Sequence, residues 1–374
     1  MNIKNSITTL LLSFFLTLSF AQKNQFTTIY DIEATQVKSQ GKTGTCWSFS
    51  ASSFIESEIF RKQGLLIDLS EMYTVRNTYE KKAANYILRQ GKAQFSQGSL
   101  AHDVLNSIRE NGLVPEEVYS GGNTFDSIHN HSMVFKALDT LVHSYINNPK
   151  QVTSWIDSTN IILDTYFGKE PNTFTYNNKQ FTPKSFQAEM KINPEDYITL
   201  TSYTHHPYFE TFILEIPDNF SNGTMYNLPL NEYIATIDYA LSKGYSIVLD
   251  IDVSEKSFSS KTGIATLPVN EITIATNKEK LTNQILKEKL VTQESRQKEF
   301  YNYNTTDDHL MHITGLLKDL QGNKFYKVKN SWGTTNKGNG GYVYISTSYI
   351  QMKSISILLH KDGISKEIKD KLKL

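Results

Sequence analysis

The sequence predicts an α+β fold. Helical periodicity dominates the first part of the chain, and strand-like apolar runs bounded by turns dominate the last part. Residues 22–45 are polar and turn-like. A helix begins at Cys46, where Trp47, Ala51, Phe54, Ile55 and Ile59 recur at helical spacing and define one buried face. Gly64 follows that pattern as a C-terminal stop. Leu69-Ser70-Glu71 opens a second helix, and Leu100, Val104, Leu105 and Ile108 mark a third that ends at Asn111-Gly112.

Residues 120–190 read as helical and loop-rich. Strand-like runs follow at 197–200 and 211–216, a helix at 231–241 and a buried strand at 245–251. The charged stretch 277–300 reads as a solvated helix or loop. The end of the chain carries strands at 309–317, 324–330 and 341–345, the first two joined through Gly322-Asn323. The chain shows no internal repeat.

Composition narrows the function. The 374 residues carry 38 Lys+Arg and 38 Asp+Glu, for zero formal net charge. That balance argues against a nucleic-acid partner held by phosphate contacts. At 39% hydrophobic and 12% aromatic residues, the chain has material for a packed core. Residues 1–21 run from Lys4 through an apolar stretch to Ser19 and Ala21, the pattern of a signal peptide rather than a stable membrane anchor. The expected mature chain starts near Gln22 and is exported to a periplasmic or extracellular location.

The cysteine count is one, Cys46, which excludes an intrachain disulfide and a multi-thiolate zinc site. A lone cysteine is an inert core residue or a nucleophile. Cys46 opens a helix, where the dipole and unpaired N–H groups stabilise a thiolate. Gln40, six residues upstream, could aim an amide at the same point and complete an oxyanion hole with the Cys46 N–H. A cysteine nucleophile needs a base. The hairpin centred near residue 320 brings His309 and Asn330 together, so Asn330 could orient one ring nitrogen while the other faces the thiol. His312, three residues on, points to the opposite strand face and reads as structural.

These residues lie in recognisable segments. Gln40-Gly-Lys-Thr-Gly-Thr-Cys46-Trp47-Ser48-Phe49 resembles the nucleophile segment of papain-like cysteine peptidases, and Asn330-Ser331-Trp332-Gly333 resembles their asparagine motif. Gly338-Asn339-Gly340-Gly341-Tyr342 and Leu69-Ser70-Glu71 resemble two further landmarks of the family. The long separation of Cys46 and His309, with His309-Leu-Met-His-Ile-Thr-Gly315, resembles the bleomycin hydrolase / aminopeptidase C branch. The resemblance implies a two-lobed papain-like domain over 22–374. A helical lobe carries the cysteine, a β-rich lobe carries the histidine and asparagine, and a branch-specific insertion falls within about 120–305.

By this resemblance Cys46 is the nucleophile and His309 the general base and acid. Asn330 orients His309, Gln40 supplies the oxyanion amide, and Trp332 shields the His–Asn bond. Gly98 and Ser99 occupy the substrate-backbone strip, with Gln97 where the family has glycine. The resemblance implies peptide substrates, no cofactor, no metal, and a homo-oligomer, often hexameric. Three functions stay open: an aminopeptidase on short peptides, an endopeptidase with an open cleft, and a non-catalytic peptide-binding protein. Aminopeptidases of the branch fill part of the cleft with their C-terminal tail. Here that tail, 362–374, reads as a solvated helix. Asp307-Asp308 reads as a solvated loop pair. His205-His206 reads as a false metal pair, with the two rings on opposite faces of a strand and no carboxylate nearby.

Overall fold

A computed structural model describes residues 26–122, 128–150, 154–269 and 287–374. The expected signal peptide, residues 1–21, lies outside the described residues, as does the 277–286 part of the charged stretch.

A first strand, β1 (Phe26–Asp31), precedes α1 (Cys46–Gln63), α2 (Glu71–Leu88), α3 (Ala101–Asn111), α4 (Ser132–Asn147) and α5 (Trp155–Phe167). The hairpin β2 (Phe174–Tyr176) and β3 (Lys179–Phe181) and the short α6 (Pro183–Glu189) close this helical part. Then come β4 (Tyr197–Thr201), β5 (Thr211–Ile213), β6 (Thr224–Asn227), α7 (Leu230–Ser242), β7 (Ile247–Ile251), β8 (Phe258–Ser259) and β9 (Ile264–Ala265). The chain continues through α8 (Gln293–Tyr301), β10 (His309–Asp319), β11 (Lys324–Lys329), β12 (Tyr342–Ser346), α9 (Thr347–Lys353), β13 (Ser354–His360) and α10 (Lys366–Leu372).

Helix α1 begins and ends where its sequence signals it. Gly64 takes the left-handed conformation, φ 67°, and its N–H caps Phe60 O. The single apolar face expected for it is too narrow, however. Every residue from Cys46 to Ile59 is buried, including Ser48, Ser52, Ser53, Glu56 and Glu58. The reason is position: α1 lies between the sheet on one side and α2 and α3 on the other. The expected strand 211–216 stops at Ile213, because Asn219 turns the chain there. Its Nδ2 donates to Leu214 O and Gly223 O, and its Oδ1 accepts from Gly223 N.

One large sheet runs in the order β5-β6-β4-β13-β7-β10-β11-β12-β9-β8 and is mostly antiparallel, with β4/β6 and β12/β9 parallel. Strand β10 is its axis. Its first five residues pair with β7, His309 opposite Ile251, and its outer half pairs with β1. A Cβ at Gly315 would lie 2.5 Å from Tyr30 O, so β1 can approach there only because residue 315 has no side chain.

Two cores flank the sheet. Trp47, Phe54, Leu105, Leu310 and Leu358 pack between the helical lobe and one sheet face. Met311, Ile313, Leu359, Ile237 and Leu372 pack on the other face. The C-terminal tail belongs to this second core. Ile368 and Leu372 are buried and Lys371 pairs with Glu232 of α7 at 2.9 Å, so α10 is a docked helix rather than a solvated one. It sits on the face of the sheet away from α1. No described helix is long and apolar enough to cross a membrane.

Candidate active site

Cys46 is the first residue of α1, and Thr45 before it makes no side-chain cap. Thr45 Oγ1 instead bonds Thr43 Oγ1 at 2.6 Å. Ser48 N bonds Thr45 O at 3.0 Å, and the N–H groups of Cys46 and Trp47 are left for whatever lies beside the sulfur. The thiol is 8% exposed. Burial pushes it up to about 12, the Leu310 backbone N–H opposes this, and the charges of Asp307, Asp218 and Asp250 reinforce it.

His309 starts β10 and Asn330 follows the end of β11. The β10/β11 register places His312 opposite Lys329 and slips by one residue between Ile313 and Gly315. His309 Nε2 meets Asn330 Oδ1 at 2.8 Å. Ser331 N also donates to that oxygen, at 2.7 Å, which fixes the Asn330 amide with its carbonyl toward the ring. With Nε2 engaged, Nδ1 is the imidazole nitrogen left for a thiol. Burial lowers the His309 pKa, while the Asn330 bond and the Asp308 charge oppose that shift. Trp332 covers the ring at 4.7 Å between centroids, tilted 32°. His312 lies on the other side of the strand with Leu310, and its Nδ1 is 2.9 Å from Ser53 Oγ of α1.

Gln40 is held at both ends of its amide. Oε1 accepts from Ser331 Oγ at 2.6 Å, and Nε2 donates to Thr43 O at 2.7 Å. An amide nitrogen has two N–H groups, so one remains. Ser331 is a positioning residue that the sequence reasoning passed over, although it sits inside the Asn-Ser-Trp-Gly segment.

The 97–99 strip is anchored to the start of α1. Gln97 Oε1 accepts from Gly44 N at 2.8 Å, and Gln97 O accepts from Trp47 Nε1 at 3.0 Å. Gln97 is thus a strut. Ser99 Oγ donates to Asp103 Oδ2 at 2.7 Å, so its hydroxyl serves α3 and only its backbone could face a substrate. Gly98 O accepts from Lys82 Nζ, and the carboxylate of Asp218 lies directly against the Gly98 Cα.

Two expectations about acids and histidines are corrected. Asp307 is not solvated: both its oxygens are buried, against the Asp250 carboxyl and the Asp218 backbone N–H, because the chain folds the 217–223 loop and β7 around it. Asp308 does reach a partner, accepting from Val253 N at 3.1 Å. His205 and His206 lie in a turn rather than on a strand, and Glu215 reaches both, at 3.3 Å and 2.9 Å. That trio could hold a metal ion. Each of its histidines already has the carboxylate as a hydrogen-bond partner.

Comparison with known proteins bears on the family and the fold. The model of the Peptidase C1-like family matches residues 164–374, and that of the papain family cysteine proteases matches 25–188. Aminopeptidase C of Listeria monocytogenes is 23% identical over 91% of this chain and 83% of its own length. Procathepsin L of Rattus norvegicus is 41% identical over 86 residues, 23% of each chain. The crystal structure of PepW from a Lactobacillus matches with a TM-score of 0.72 at 19% identity, covering 93% of this chain and 84% of that one. With helices packed on one face of a large sheet, and a family match over more than half its length, the chain belongs to the Peptidase C1-like family of papain-type cysteine peptidases.

Proposed function

We propose that this chain is an exported aminopeptidase of short peptides, working through Cys46, His309, Asn330 and Gln40. The observation that carries the site is the 2.8 Å bond from His309 to Asn330, with Nδ1 left for the cysteine at the head of α1. Cys46 Sγ bonds to the scissile carbonyl carbon as its proton passes to His309. The oxyanion takes the spare Gln40 N–H and the Cys46 N–H. His309 then gives its proton to the leaving amine as the C–N bond breaks. Water, deprotonated by His309, attacks the thioester, and the thiol leaves with that proton.

Burial opposes both the thiolate and the imidazolium, while the Asn330 bond and the Asp308 charge favour the imidazolium. The trimming specificity is supported by the match to Aminopeptidase C over most of its length. Export is supported by the basic-then-apolar run of residues 1–21.

The test uses the purified chain under reducing conditions. A free-amino aminoacyl fluorogenic amide should be cleaved and an N-blocked peptide amide should not. Cys46→Ser should abolish turnover, and cleavage of the blocked amide at a comparable rate would establish an endopeptidase instead.

A further inference from the structure

Residues 366–372 do not lie at Cys46, because α10 is docked on α7 across the sheet. Building on the aminopeptidase reading, we propose that the 217–223 loop closes the cleft beyond one substrate residue and that Asp218, backed by Asp250 and Asp307, binds the free α-ammonium group of the peptide.

Three observations carry this. The first is steric. Asp218 Oδ2 lies so close to Gly98 that even a methyl group there would overlap it, and Gly98 O is already taken by Lys82 Nζ. A peptide extended past its first residue would need both that space and that carbonyl.

The second is rigidity. Asp218 Oδ1 accepts from Gln94 Nε2 at 2.9 Å and Ser96 Oγ at 3.2 Å. Ser221 Oγ meets His102 Nε2 at 3.0 Å, and Asn219 bonds across its own turn. The loop is therefore a fixed wall tied to the helical lobe.

The third is charge. Asp250 is 2% exposed, and its carboxyl and that of Asp307 are buried against each other with no cation among the described residues in contact with either. Buried carboxylates without a cation are costly. Lys82 is the cation beside them, and burial lowers its own pKa. Burial and mutual repulsion hold Asp307 up at about 7 and Asp250 well above the usual carboxylate range. The same three acids act on the Cys46 sulfur.

In a substrate the α-nitrogen is two bonds, about 2.5 Å, from the carbonyl carbon that the sulfur attacks. Asp218 stands against Gly98, in the strip that Gln97 ties to Gly44 and Trp47 on either side of Cys46, and is thus placed to meet that ammonium.

The experiment reads Cys46 labelling by mass spectrometry, using leucyl chloromethyl ketone with its amine free or acetylated. Wild type should label about 30-fold or more faster with the free amine, the range expected for a lost buried charge partner. Asp218→Asn should bring the two rates within about threefold, and Asp307→Asn should narrow them as well. A wild-type ratio near one, or a ratio unchanged in both folded variants, overturns the amine site. Turnover is measured separately on the free-amino amide. No turnover with an intact labelling ratio would sink the proposed catalysis and leave the amine site standing. Equal turnover of free and blocked amides would do the reverse.

Discussion

Removing the Ser331 hydroxyl should weaken catalysis only through Gln40. Ser331 Oγ is the donor that holds Gln40 Oε1, and the Gln40 side chain is buried. Ser331→Ala leaves that oxygen buried without its donor, at a cost of about 1–3 kcal/mol. The amide can relieve the cost by rotating, which withdraws the spare N–H from the oxyanion position. A loss of about 1.4 kcal/mol in transition-state stabilisation is tenfold in rate. We therefore expect Ser331→Ala to lower kcat about tenfold with KM nearly unchanged, because the ground-state carbonyl does not need the donor. Gln40→Ala should cost about 10²–10³. The decisive measurement is the double variant, which should be no slower than Gln40→Ala alone, since Ser331 has nothing left to position. Steady-state kinetics on the aminoacyl amide, with thermal melts to verify folding, gives all four corners of the cycle. A further tenfold loss in the double variant would refute the reasoning and place the role of Ser331 elsewhere, for instance at Asn330.

Two more outcomes follow from buried charge. Lys38 Nζ bonds both Glu71 oxygens at 2.9 Å, and burial raises Glu71 and Glu56 to about 7. Lys38→Met should destabilise the fold by about 3–5 kcal/mol at pH 8, where both acids ionise, and by clearly less at pH 5.5, where they are protonated; denaturant titrations at the two pH values check this, and a larger loss at the acid end would contradict it. His312 is fully buried, and burial holds its pKa well below 6.5. The unfolded chain binds a proton there as pH falls below about 6.5 while the folded one does not, so His312 costs the native state about 1.4 kcal/mol per pH unit of acidification. His312→Asn should be less stable than wild type at pH 8, and the gap should shrink by that slope below pH 6.5; a gap independent of pH would show that His312 protonates in place.

The elements that build the site were legible because local signals fix them. The periodicity from Trp47 to Ile59 and the Gly64 stop define α1, and the turn at Gly322-Asn323 sets β10 against β11, which brings His309 to Asn330. What stayed hidden depends on chain segments far apart in sequence. Glu56 and Glu58 read as a polar helix face until the sheet, α2 and α3 enclose them. Asp307 reads as solvent-facing until the 217–223 loop folds over it. The same holds for the tail: its Lys-rich surface is visible in the sequence, but the docking of Ile368 and Leu372 requires knowing that α7 lies beneath. Gln97 looked like a lost glycine because its value lies in two bonds to Gly44 and Trp47 that no local pattern announces.

The distance between Cys46 and His309 is a distance between lobes, and one cysteine cannot serve as both nucleophile and clamp. The clamp is the strap that leads into α1. Ile32 N donates to Thr314 O at 2.7 Å, Gln40 N to Ser331 O at 2.8 Å, and Gly333 N to Lys38 O at 3.0 Å. These bonds tie the approach to Cys46 onto the same loop that carries Asn330. Deeper in, Lys329 Nζ at the end of β11 donates to Ser53 Oγ of α1 at 2.8 Å and Thr35 Oγ1 of the strap at 2.9 Å. Cys46, His309 and Asn330 are therefore referenced to one hydrogen-bonded frame, although they come from opposite lobes. A backbone frame of this kind resists small lobe rotations cooperatively, because opening the cleft at Cys46 would break several bonds together.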